Sequence, residues 1–113
     1  MQKFILEKPE AEKGRSFRIY EATIKSEATK ISYSYSLFEF IKFVNMQSYD
    51  DVINLETNTI QELLENWVMS LTQRGLKGKT ILTKLLAIEL LLEMNKKLYY
   101  KKILHKLFPI DDV

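Results

Sequence analysis

The sequence predicts an all-α fold, a compact bundle of four to five short helices. Three observations carry this reading. Glycine and proline, the residues that break helices, number only three and two in 113 residues. Leu, Lys, Glu and Ile dominate the usage. Apolar residues recur at three- and four-residue spacing over long stretches instead of alternating. An apolar content of 46% with 28% charged residues fits a soluble globular domain. The length suffices for one core and no second one. Cysteine is absent, which removes a disulfide framework and a thiolate metal site and fits a reducing cytoplasm.

Residues 1–16 carry mixed charges around Pro9 and Gly14 and read as a flexible arm. The opening apolar run, Phe4-Ile5-Leu6, is too short for a signal peptide. Phe17, Tyr20 and Ile24 then stand at i, i+3 and i+7, the spacing of a short helix. Ser26 has the chemistry of an N-cap, with Glu27 favourable in the first turn. The helix it opens is expected over Glu27 to Val44, with Thr29, Tyr33, Leu37, Phe40 and Val44 as one stripe. Tyr33-Ser34-Tyr35-Ser36 alternates like a strand, but the longer pattern around it is helical. Asn45 to Tyr49 reads as a loop, and Asp50 to Leu55 as a short helix with acids at its start.

Thr59 to Glu62 has the form of a capping box, Thr at the cap and Glu three residues on. The helix expected from it places Ile60, Leu63, Leu64, Trp67, Val68 and Leu71 on one face. It ends near Gln73, with Gly75 just beyond. The next helix, about Gly78 to Met94, has Ile81, Leu85, Ile88 and Leu92 as its core stripe, widened by Leu82, Ala87 and Leu91. A last helix is expected over about Tyr100 to Leu107, stopped by Pro109. The richest apolar run, Ile81 to Leu92, is interrupted by Thr83, Lys84 and Glu89 and is too short to span a bilayer. The expectation is a soluble, cytoplasmic, nucleoid-associated protein with no membrane partner.

The formal net charge of +2 hides a segregation. Glu39 to Glu65 holds one base against six acids, a net −5. Arg74 to Lys106 holds nine bases against two acids, a net +7. Such a separation builds one polyanion-facing side on a nearly neutral domain. Its focus is Arg74 to Lys84, where a glycine-broken turn feeds an apolar helix whose entrance carries Lys77, Lys79, Thr80, Thr83 and Lys84. A helix N-terminus attracts anions by itself, and the lysines add to that. Gly78-Lys79-Thr80 looks like the end of a P-loop, but that motif needs glycine at position 73, where this chain has Gln, and a strand before the loop. His105 is the sole histidine, so neither a typical zinc site nor a Ser–His–Asp grouping can be built. Asp50, Asp51, Glu62 and Glu65 are expected at helix starts or on solvent faces, not as an acid/base pair. The reading is a binding domain that needs no cofactor and performs no chemistry.

Two patterns combine in order. The first is Ser26, Thr29, Tyr33, Leu37 and Phe40. The second is Trp67, Leu71, Gly75-Leu76 and Thr80-Ile81, followed by Leu86-Ala87-Ile88 and Met94-Asn95. Together they resemble the N-terminal core-binding (SAM-like) domain of phage-type integrases and Xer-like tyrosine recombinases, the archaeal members above all. The resemblance spans about residues 17–110. It implies half of a C-shaped clamp around duplex DNA, used in DNA integration and recombination. It also implies contact with neighbouring protomers in the assembled recombinase. Carried onto this chain, the DNA-facing positions are Thr29, Lys30, Lys77, Lys79, Thr80, Thr83 and Lys84. Lys77 stands where the family often has a capping Ser. The family's catalytic arginines, histidine or lysine, and tyrosine lie in a C-terminal domain. Residues 111–113 are then expected to begin the linker to it, and Arg15, Arg18 and Arg74 lie outside any such catalytic context.

Two other classes compete on the residues alone. The acidic Glu39 to Glu65 region fits a helical protein-interaction module. Leu71 to Leu92 also fits the helix-turn-helix of a small transcription regulator.

Overall fold

The computed structural model describes residues 14–109, and every regular element in that range is a helix. There are six: α1 (Arg15–Glu21), α2 (Glu27–Val44), α3 (Tyr49–Ile53), α4 (Thr57–Gln73), α5 (Gly78–Met94) and α6 (Lys101–Lys106). The all-α class stands as expected, with α3 and α6 little more than single turns. The terminal linker expected at 111–113 lies outside the described residues, as does the arm up to residue 13; Arg15 and Ser16 already belong to α1.

Helix α5 is the hub, packing against α1, α2 and α4. Its predicted stripe of Ile81, Leu85, Ile88 and Leu92 is fully buried, as are Ala87 and Leu91. Leu82 is half-buried. Leu37, Phe40 and Ile41 of α2 and Leu64, Trp67, Val68 and Leu71 of α4 complete the centre. The Phe40 and Trp67 rings meet edge-on at 5.1 Å, so both are core residues. Phe17 of α1 lies against Tyr20 and Tyr49 at 5.4 and 5.2 Å, which pins α1 onto α3.

Local chemistry places most helix ends where the sequence puts them. Ser26 accepts from the Thr29 N–H at 3.2 Å and starts α2. The three long helices each close with the same pair of backbone bonds, the Schellman arrangement. In α2 the Met46 N–H reaches Ile41 O, in α4 the Leu76 N–H reaches Leu71 O, and in α5 the Lys97 N–H reaches Leu92 O. The left-handed residue each needs is Asn45, Gly75 and Lys96, at φ of 58°, 87° and 60°.

Two starts differ from expectation. The predicted capping box at Thr59 is not used: α4 begins at Thr57, with Glu56 at the cap and no side-chain bond there. Leu55 and Ile60 flank that start at the positions of a hydrophobic staple, and both pack into the core, so burial overrides the box. Helix α3 begins at Tyr49 because the Ser48 hydroxyl accepts from the Asp51 N–H at 3.1 Å. Helix α1 ends at Glu21, and Ile24 reaches the core from the following turn.

Polar side chains hold α6 in place. The Gln61 side chain accepts from the Tyr100 N–H at 2.7 Å and donates to the Tyr100 carbonyl at 3.4 Å. Thr72 donates to Leu107 O at 3.2 Å. Glu89, buried in α5, faces Lys101 at 3.7 Å and His105 at 3.6 Å. Desolvation pushes its carboxyl above the usual carboxylate range, against the pull of Lys101 and His105. His105 is half-buried and stacks on Phe108 at 4.8 Å.

Candidate nucleic-acid interface

The turn from Arg74 to Lys77 delivers the chain into α5 at a fixed angle. Gly75 takes the left-handed conformation that closes α4, and Leu76 packs on the core next to it. Lys77 therefore falls at the N-cap of α5. It has no side-chain acceptor to offer, and no cap bond forms. Among the described residues, no hydrogen bond is made to the N–H groups of Gly78, Lys79 and Thr80. These are the orphan donors that any helix start leaves. Lys77, Lys79 and Thr80 are exposed around them.

Further along, α5 forms one wall of an open groove of about 610 Å³ whose other wall is α2. Thr80, Thr83 and Lys84 line the α5 side. Tyr35, Phe38 and Lys42 line the α2 side, with the Lys42 ammonium 5.7 Å from the Phe38 ring centre. Ser32, Ser36 and Glu39 complete the α2 wall.

The expected site residues separate into three groups. Thr80, Thr83 and Lys84 come together in the groove. Lys77 and Lys79 stand at the helix entrance, and Thr83 is tied back to Lys79, its hydroxyl donating to the Lys79 carbonyl at 3.1 Å. Thr29 and Lys30 lie in the first turn of α2, half-buried, and do not line the groove.

One partner qualifies the electrostatic expectation. The Lys84 Nζ is 2.7 Å from Glu39 Oε1 across the groove, so the two charges meet. Glu39, counted with the acidic half of the sequence, thus stands inside the basic site. Sequence reasoning also missed the α2 wall. Its signal was present in the 3.6-residue recurrence of Ser32, Tyr35, Glu39 and Lys42, a stripe of its own beside the core stripe.

Among the described residues, no cluster of three or more histidine, cysteine or acidic side chains has metal-binding geometry. No helix is long and apolar enough to cross a membrane. No known protein family, curated protein or solved structure matches the chain.

Proposed function

We propose that this chain grips duplex DNA as the core-binding half of a tyrosine-recombinase-type clamp, supplying grip and no chemistry. The observation that carries the reading is the continuity of one basic surface. The uncapped, lysine-bearing start of α5 runs directly into a groove with hydroxyls and an aromatic wall. Orphan N–H groups and lysine ammoniums both suit phosphate oxygens. Such contacts position a protein on the duplex without specifying sequence. The resemblance in the order of motifs from Ser26 to Asn95 supplies the recombinase part of the reading.

The test is a titration of a fluorescent duplex with the whole chain over a range of salt concentrations. Each phosphate contact contributes about 0.9 to the log–log slope. Lys79→Ala and Lys84→Ala each lower the slope. Absence of duplex binding at low salt, or binding indifferent to both changes, overturns the proposal.

A protein-interaction reading has one observation of its own. Leu98, Tyr100 and Ile103 are 69%, 53% and 46% exposed among lysines near α6. Self-association in light scattering, without DNA affinity, selects that reading.

A further inference from the structure

We propose that Glu39 is a built-in competitor for phosphate at Lys84, so that the groove takes up DNA by exchanging one anion for another. The inference rests on the DNA reading above and deepens it. Its basis is the ion pair itself. Glu39 Oε1 and Lys84 Nζ lie 2.7 Å apart, with side-chain exposures of 40% and 23%. The pair joins opposite walls of the groove, α2 and α5, and both helices are anchored in the core by their buried stripes. The fold therefore holds the two side chains within reach of each other. Partial shielding also leaves the attraction less screened than on an open surface.

A carboxylate and a phosphate oxygen are the same kind of acceptor to an ammonium. Lys84 has three N–H donors, and Glu39 holds the direction of one. A phosphate entering between Thr80, Thr83 and Lys84 must draw the ammonium from Glu39 or share it against like-charge repulsion. Lys77 and Lys79 have no ion-pair partner among the described residues, so they engage without this exchange. The entrance of α5 is the free part of the surface and the groove is the gated part. Glu39 is the single acid among the groove-lining residues and its ion pair is with Lys84, so removing its charge leaves Lys84 unopposed there.

The experiment is a double-mutant cycle on the whole chain, read by anisotropy of a short labelled duplex at low salt. Glu39→Gln tightens binding about two- to fivefold, the range that an ion pair of this exposure represents. Glu39→Ala gives a gain of the same size. In the Lys84→Ala background the gain from Glu39→Gln disappears. Glu62→Gln, an exposed acid of α4 outside the groove, leaves the affinity of the parent chain unchanged. An affinity that is unaltered or weakened by Glu39→Gln overturns the proposal. So does an equal gain with and without Lys84, because that outcome is general charge repulsion and not competition. Absence of duplex binding by the parent and by every variant instead removes the DNA reading on which the proposal stands.

Discussion

Asp50 of α3 caps α1 from across the chain: its Oδ1 accepts the Ser16 N–H at 3.0 Å. Gly14, at the N-cap of α1, has no side chain with which to do so. A Cβ at position 14 would overlap the Asp50 carboxylate, so the missing side chain makes room for the one that replaces it. Asp50→Ala is expected to lower stability by about 1 kcal/mol, the usual worth of an N-cap, read from urea midpoints at pH 7. The nearby Ser16 hydroxyl, and then the backbone N–H groups at the start of α1, favour the ionised form and hold the Asp50 carboxyl below its ordinary range. Its contribution is therefore complete above the unfolded-state value and fades as pH falls through the folded one. The stability gap between the parent chain and Asp50→Asn narrows on acidification. A gap that widens contradicts the assignment.

Lys96 closes α5 in the left-handed conformation at φ 60°, a place where glycine is at ease and a side chain is strained. Lys96→Gly is expected to raise stability by about 0.5–1 kcal/mol, after allowance for the greater freedom glycine has in the unfolded chain. Calorimetry gives the measurement, and a lower melting temperature for Lys96→Gly refutes it. The same replacement at Asn45 yields less, because asparagine tolerates this region well.

Glu89 predicts the opposite pH behaviour from Asp50. Its folded-state carboxyl titrates above the usual value, through burial first, with Lys101 and His105 opposing and Glu93 adding slightly. The ionised form then burdens the native state. That burden is full above the folded pKa and vanishes below the unfolded one. The parent chain should gain stability relative to Glu89→Gln as pH is lowered from 7 towards 4. Paired denaturation curves at several pH values decide it.

Tyr35 separates the groove from the fold. It is 52% exposed and lines the α2 wall, so Tyr35→Ala should leave stability within about 0.5 kcal/mol. On the DNA reading the same change weakens duplex binding. A large loss of melting temperature would place Tyr35 in the structural frame instead.

What the sequence conveyed depended on the range of the responsible interaction. Helices α2 and α5 match their predicted bounds because their stripes, and the Ser26 cap, are features of adjacent turns. The start of α4 was misjudged because Thr59 offers a local cap, whereas the winning Leu55 and Ile60 answer to the core. Glu89 read as a polar break in an apolar run. Its burial follows from α6 folding back over it, twelve and sixteen residues later. Lys84 was legible as a cation at a helix entrance. Its pairing with Glu39, 45 residues away, was not, since no periodicity connects the two helices. The charge segregation was visible, but its one breach could be found only after the chain had folded.

The contact between Gln61 and residue 100 divides evolutionary freedom unevenly between its ends. Gln61 is buried; its carbonyl accepts the Tyr100 N–H, and its NH2 donates both to the Tyr100 carbonyl and to the Glu65 carboxylate, while Tyr100 itself is 53% exposed. Any residue except proline supplies the same N–H and carbonyl at position 100. Among descendants of this sequence, position 100 should therefore drift widely, while position 61 admits almost nothing but glutamine.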